Sequence, residues 1–146
     1  MATDFLDSQT TLSLRLMSDT AALVLIWLVQ LVIYPAFLHL REGDFKRWHV
    51  TYTQRVTYVV LPVMLGQLVL YGSLVFINPH WDVWLNLALV LTAWAITFFR
   101  AVPLHGSLDV EDDHLTLSAK LVSINWWRTA LWSLVWGVSV WIFLST

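Results

Sequence analysis

Four long apolar stretches, separated by short polar segments, dominate the pattern of this sequence. The runs that hold no charged side chain are residues 20–38, 56–79, 83–99 and 129–146. Each is close to the ~20 residues that an α-helix needs to cross the hydrocarbon core of a bilayer. We therefore predict one all-α transmembrane domain over residues 1–146, an integral membrane four-helix bundle. With helix ends included, the predicted spans are about 18–40, 53–77, 82–100 and 124–145.

The sequence predicts where the first helix begins and where it is kinked. Ser18, Asp19 and Thr20 offer N-cap side chains and a negative charge, so the helix is predicted to begin there, after an exposed leader over 1–17. Pro35 removes a backbone donor near the end of the span. The first helix is therefore predicted to be kinked.

The polar connections predict the topology. Asn78-Pro79-His80 favours a tight turn, whereas 41–52 and 101–123 are predicted as longer loops. Most cations lie in or beside these two loops: Arg41, Lys46, Arg47, Arg55, Arg100, Lys120 and Arg128. The other side of the membrane has Arg15 alone. The positive-inside rule then places both loops in the cytoplasm and both termini outside it.

Composition excludes several classes of function. The chain is 58% hydrophobic and 12% charged, against about 25% charged in an average soluble domain. It contains no cysteine, which excludes disulfides, iron–sulfur clusters and thiolate metal sites. A net charge of −2 with 8 Lys and Arg residues gives no basic face for nucleic acid. The central parts of the spans hold no Asp, Glu or Lys, which argues against an ion-coupled pump.

One polar face of the fourth span is the most informative feature. The spacing i, i+3, i+4, i+7 joins Asn125, Arg128, Thr129 and Trp132. We expect this face to look into the bundle, while Trp126 and Trp127 anchor the helix at the lipid boundary. A buried arginine needs partners or a water-filled cavity, and the alternative is that Arg128 extends to the headgroups.

Further polar side chains are predicted to gather at the same, cytoplasmic end. They are Gln30, Tyr34, His39, His49, Tyr52, Arg55, Arg100 and His105. Imidazole serves as a general base near neutral pH and also as a metal or haem ligand. No His-x-x-x-His spacing exists, so no metal site is predicted, and the alternative for the histidines is bonding to water and headgroups. His80 and His114 are predicted as loop residues without a role.

Several short motifs carry a family resemblance. They are Tyr34-Pro35 with Phe37, Phe45-x-x-Trp48-His49 with Arg55, Pro62-x-Met64, Pro103-Leu104-His105 with Leu108, and Asn125-Trp126-x-Arg128-Thr129 with Trp132. Together they resemble the DUF1772, or anthrone-oxygenase-like, group of small four-helix bacterial membrane proteins. The best-known branch of the group implies oxidation of a polycyclic phenolic anthrone to a quinone by dioxygen, without metal or flavin, and the resemblance implies a bacterial inner membrane as the location. The anthrone-oxidising branch has Asn at the position of His105, and bacterial relatives have His at the position of Tyr52.

Three hypotheses follow, each with its own residues. In the first, the chain is an oxidoreductase or monooxygenase-like enzyme for an apolar aromatic or quinone-like molecule. Its candidate catalytic residues are His105, His49, Arg128 and Asn125, and its candidate substrate-binding residues are Tyr34, Tyr52, Arg55, Thr129 and Trp132. The second is an accessory or assembly subunit of a larger membrane complex or homo-oligomer. The third is a bis-His haem protein with ligands from His39, His49 and His105, although no cofactor is predicted.

Overall fold

The computed structural model describes residues 8–146, which form four long helices and no strand. Helix α1 is α-helical over Ser8–Leu28, passes through a π turn at Val29–Ile33 and a short α segment at Tyr34–Ala36, and ends in a 3-10 turn at Phe37–His39. Helix α2 covers Glu42–Ile77. Helix α3 covers Trp81–Ile96, a π turn at Thr97–Ala101 and Val102–Val110. Helix α4 covers His114–Ser145.

The predicted all-α four-helix architecture is confirmed. All four helices are long and apolar enough to cross a membrane. Large apolar side chains point outward, with Phe76 88% and Phe99 78% exposed, which suits contact with lipid. Short connections give the bundle two distinct ends. We call the end with the α1–α2 and α3–α4 connections the proximal end, and the end with the α2–α3 turn the distal end.

The helices are longer than the predicted spans, and three expectations about their ends are wrong. Helix α1 begins at Ser8, so Asp19 lies inside it and is not an N-cap. The predicted loops over 41–52 and 101–123 are largely helical. Their charged residues occupy one side of helices whose other side is buried, as Phe45 and Leu108 show. A search for uncharged runs misses such amphipathic extensions because their apolar positions are not contiguous.

The predicted irregularity before Pro35 is present and has a counterpart in α3. The Tyr34 N–H donates to the Val29 carbonyl, and the Val102 N–H donates to the Thr97 carbonyl, five residues back in each case. Each π turn comes directly before an X-Pro pair, at Pro35 and Pro103. Proline lacks an N–H and clashes with the carbonyl four residues earlier, so the wider turn relieves that clash.

Glycine does not provide close helix contacts here. A Cβ added at Gly66, Gly72 or Gly137 would meet nothing within 4 Å. The core consists of three clusters of interlocking side chains along the bundle, centred on Phe37 at the proximal end, Met64 in the middle and Tyr71 at the distal end.

Candidate functional site

Four side chains form a hydrogen-bonded chain at the proximal end. Asp109 Oδ1 lies 2.7 Å from His49 Nδ1, His49 Nε2 lies 2.9 Å from His105 Nδ1, and His105 Nε2 lies 3.0 Å from the Tyr34 hydroxyl. The Asp109 side chain is 36% exposed, whereas His49 is fully buried. We call these four residues the histidine relay. It leads from the protein surface at Asp109 to the buried Tyr34.

The carboxylate fixes the direction of every hydrogen bond in the relay. Because ionised Asp109 only accepts, His49 donates from Nδ1 and its Nε2 is left as an acceptor. His105 then donates from Nδ1, and its own Nε2 accepts from the Tyr34 hydroxyl. All three hydrogen bonds therefore donate in the direction from Tyr34 to Asp109, so a proton that leaves the Tyr34 hydroxyl can be relayed to Asp109.

Aromatic packing holds the two imidazoles in place. Phe37 is fully buried, and its ring meets His49 edge-on at 5.5 Å and His105 at 6.4 Å between centroids. Phe45 stacks on His49 at 5.2 Å. The 3-10 turn at the end of α1 supplies Phe37, and the first full turn of α2 supplies Phe45. Such contacts exclude water and restrict ring rotation.

The relay ends at a cavity of about 210 Å³ that all four helices line. We call it the relay cavity. Tyr34, Tyr52, His105 and Arg128 provide its polar groups, and the other lining side chains are mainly apolar. The predicted grouping of Tyr34, Tyr52, His105 and Arg128 at one depth is therefore present. Trp94 also lines it.

Arg128 is buried in this cavity without an acidic partner among residues 8–146. It is 5% exposed, so it does not extend to the headgroups. Its Nη1 donates to Asn125 Oδ1 at 2.8 Å, and Asn125 Nδ2 donates to Gln30 Oε1 at 2.8 Å. The guanidinium also lies 5.4 Å from the Trp132 ring centroid. The inward face predicted for Asn125, Arg128 and Trp132 is confirmed.

Two buried donors at the cavity have no hydrogen-bond partner in the described part of the chain, namely Arg128 Nε and Trp94 Nε1. Buried polar groups without a partner are uncommon, and each one costs roughly 1–3 kcal/mol. A ligand with acceptor oxygens would satisfy them. The cavity is therefore suited to an oxygen-bearing or anionic molecule.

Part of the cavity wall belongs to the lipid-facing surface. Leu61 on α2 is 42% exposed, and Phe98 and Val102 on α3 are 51% and 50% exposed, yet all three line the cavity. The cavity therefore reaches the outer surface between α2 and α3. The lipid-exposed side of the bundle between α2 and α3 is thus the side on which the cavity opens.

Several residues predicted for the site lie elsewhere. Arg55 is exposed and does not line the cavity. Thr129 is buried, but its hydroxyl donates to the Asn125 carbonyl of its own helix at 3.0 Å. His39 is exposed and has no contact with the relay. Trp132 lines a second, much smaller cavity next to Arg128.

The histidines do not fit haem or metal ligation as they stand. Both ring nitrogens of His49 and of His105 are engaged in the relay, and the two rings bond directly to each other with no room for an iron between them. Residues 8–146 contain no group of three or more His, Asp or Glu side chains that would hold a metal ion.

A second buried polar cluster, at the distal end, was not predicted. Asp19 is fully buried and accepts from Gln67 Nε2 at 2.7 Å, from the Tyr71 hydroxyl at 2.6 Å and from the Ser139 hydroxyl at 2.6 Å. Asn86 Nδ2 donates to the Tyr71 and Ser139 hydroxyls at 2.8 and 3.0 Å. We call these five residues the aspartate network. It joins all four helices.

An ion pair flanks this network. Arg15 Nη1 lies 2.6 Å from Asp82 Oδ2, and both side chains are almost fully buried. Arg15 also lies over the Tyr71 ring at 5.5 Å, and His80 Nδ1 bonds to the other Asp82 oxygen. His80 lies in the predicted turn but has a partner. The loop prediction for His114 is wrong, since His114 opens α4, is 7% exposed and stacks on Phe45.

The missed residues share a signal that the sequence does contain. Polar side chains spaced four apart within apolar helices, and therefore on one helix face, are the pairs Arg15 and Asp19, Gln67 and Tyr71, Asp82 and Asn86, and His105 and Asp109. Asp109 was not among the predicted site residues and fell within the predicted loop over 101–123. Its position four residues after His105 was the sign that it belongs to the relay end of α3.

Comparison with protein-family models, curated proteins and solved structures finds no match to this chain. The resemblance to the DUF1772 group therefore stays a prediction, and the site is interpreted from its own geometry.

Proposed function

We propose that this chain is an integral membrane enzyme of oxidoreductase or monooxygenase type that acts on an apolar aromatic molecule with a phenol-type or quinone-type oxygen. The observation that carries the proposal is the end point of the histidine relay. Tyr34 lies in the same cavity as Arg128, a buried cation with no acidic partner in residues 8–146. A base and an oxyanion-stabilising group thus face one enclosed space.

The relay supplies the proton acceptor. When a substrate proton moves to the Tyr34 oxygen, the Tyr34 proton moves to His105 Nε2, the His105 Nδ1 proton to His49, and the His49 Nδ1 proton to Asp109. Each transfer follows an existing hydrogen bond of 2.7–3.0 Å. The proton leaves the cavity at the exposed Asp109, and no charged group forms on Tyr34 at the end of the transfer.

Arg128 and Trp94 stabilise the anion that remains. Loss of a proton from a phenol, or from a ring methylene beside a carbonyl, places negative charge on the substrate oxygen. Arg128 and Trp94 both line the cavity, and because Arg128 Nε and Trp94 Nε1 have no hydrogen-bond partner among residues 8–146, we assign them as the donors to this oxygen. A charge-assisted hydrogen bond in a water-poor site is about twice as strong as a neutral one.

Cavity size and access favour a small, lipid-soluble substrate. A cavity of about 150 Å³ holds benzene, so the 210 Å³ of the relay cavity holds a somewhat larger ring system. Additional rings extend through the opening between α2 and α3. The electron-rich anion reacts with dioxygen, which is the oxidant that the DUF1772 resemblance implies. In the net reaction a ring methylene and dioxygen give a ring carbonyl and water.

We place the proximal end in the cytoplasm of a bacterial cell. Seven of the eight Lys and Arg residues belong to the two proximal connections and the helix ends beside them, and Arg15 alone lies near the distal end. The relay then releases its proton on the cytoplasmic side.

A matched pair of tyrosine variants tests the proposal. Purified protein in nanodiscs is assayed for oxygen uptake and carbonyl product with anthrone, naphthohydroquinone and naphthol. Tyr34→Phe removes the hydroxyl at the cavity and is expected to lower turnover by about 100-fold or more. Tyr58→Phe changes an 81% exposed tyrosine of α2 and is expected to leave turnover unchanged.

The same assay distinguishes the accessory-subunit hypothesis. If the wild-type protein turns over none of the compounds and co-purifies from native membranes with a stoichiometric partner, the enzyme proposal is wrong. Equal turnover by folded Tyr34→Phe and wild-type protein would also contradict it.

A further inference from the structure

A groove of about 400 Å³ lies on the outside of the bundle between α3 and α4, near the proximal end. We call it the α3–α4 groove. It shares no lining residue with the relay cavity. The residues that line it are Phe99, Arg100, Pro103, Leu104, Ser107, Lys120, Ser123 and Ile124. Its walls are apolar, and its polar groups are two cations and two hydroxyls.

The two cations of the groove are unpaired. Neither Arg100 nor Lys120 takes part in an ion pair or hydrogen bond among residues 8–146, and no acidic side chain lines the groove. Lys46, by contrast, is paired with Asp112 at 2.7 Å. One arginine and one lysine from different helices therefore face the same concave surface without a counter-charge.

Arg100 and Lys120 lie at the depth in the membrane that the lipid headgroups occupy. Arg100 follows Trp81 by 19 residues, and Lys120 precedes Trp141 by 21 residues. At 1.5 Å per residue, both separations are about 30 Å, the thickness of the hydrocarbon core. Trp81 and Trp141 are 57% and 68% exposed, as expected for aromatic anchors at the opposite boundary. The cations thus lie at the proximal lipid boundary.

We propose that the α3–α4 groove binds one anionic diacyl phospholipid. The phosphate is bound by Arg100 and Lys120, with hydroxyl donors from Ser107 and Ser123. An acyl chain lies along the exposed ring of Phe99, toward the hydrocarbon side. Basic pockets between membrane helices bind anionic headgroups by this combination of charge and apolar wall. The proposal is independent of the enzymatic function.

Native mass spectrometry of delipidated protein in mild detergent tests the lipid assignment. We expect one molecule of dioleoyl phosphatidylglycerol to be retained per chain and phosphatidylcholine to be retained far less. The double variant Arg100→Gln/Lys120→Gln is expected to lower phosphatidylglycerol occupancy about tenfold or more. The control Arg47→Gln/Arg55→Gln removes two exposed cations outside the groove and is expected to leave occupancy unchanged.

Three results would overturn the proposal. Equal retention of the two lipids would show that charge does not select the ligand. Equal losses in the two double variants would show that the groove is not the site. Thermal stabilisation by inorganic phosphate that requires Arg100 and Lys120, without any preference for phosphatidylglycerol, would assign the groove to a free phosphate instead.

Discussion

His49 Nε2 and His105 Nδ1 face each other at 2.9 Å, although 56 residues separate the two histidines in the sequence. Their ring planes differ by only 19°. In this arrangement only one of the two facing nitrogens carries a proton, and it donates that proton to the other. The tautomer of one ring therefore determines the tautomer of the other. Asp109 selects the tautomer because it accepts the hydrogen bond from His49 Nδ1, which leaves His49 Nε2 as the acceptor for His105.

Asp109→Asn should therefore break the relay while it preserves the shape of the site. An amide does not fix the direction of the His49 hydrogen bond as a carboxylate does, and it cannot take up the relayed proton. We expect turnover in the oxygen-uptake assay to fall by about 100-fold or more. Asp112→Asn, three residues along, removes a carboxylate that lies outside the relay and should leave turnover unchanged. Equal activity of the two variants would contradict the relay.

Asp19→Ala should be the most destabilising single change in the aspartate network. It leaves the buried donors of Gln67, Tyr71 and Ser139 without their acceptor. We expect a loss of about 3–5 kcal/mol in the free energy of unfolding, measured by sodium dodecyl sulfate titration in mixed micelles. Asp44→Ala, which alters an exposed carboxylate at the start of α2, should cost little. A similar loss in both variants would contradict the network's role in stability.

The Arg15–Asp82 ion pair should show strong energetic coupling. Arg15→Gln leaves Asp82 as an uncompensated buried charge, and Asp82→Asn does the same to Arg15. We expect each single variant to cost about 3–5 kcal/mol and the double variant to cost less than their sum. A double-mutant cycle of unfolding free energies measures the difference. Strict additivity would mean that the two charges do not stabilise each other.

Asp112 should titrate at lower pH than an ordinary aspartate. The Lys46 ammonium, which donates to its carboxylate at 2.7 Å, lowers the pKa of Asp112 below 3.8. A lowered pKa in the folded state gives a stabilisation that is present above pH 3.8 and lost as the pH falls through the folded-state pKa. Carbon-13 NMR of the Asp112 carboxyl should show this midpoint, and Lys46→Gln should return it to the ordinary value. An unchanged midpoint in that variant would exclude Lys46 as the cause.

The sequence predicted the number and class of helices because apolar runs of membrane length are a strong signal. It also predicted the inward face of Asn125, Arg128 and Trp132, since spacing along one helix fixes the face. It did not predict that His49 would pair with Asp109 or that Asp19 would be buried. Those contacts depend on how different helices are rotated relative to each other, which no single-helix pattern specifies.

The two π turns set the rotation of Tyr34 and His105 about their helix axes. Each turn accommodates one residue more than an α-helical path would, and one residue corresponds to about 100° of rotation around the helix axis. Removing a single residue from Val29–Ile33 or from Thr97–Ala101 would carry Tyr34 or His105 away from its partner. The relay thus depends on one additional residue in each of two otherwise regular helices. A variant with either turn shortened by one residue is expected to keep the bundle and lose the hydrogen bonds of the relay.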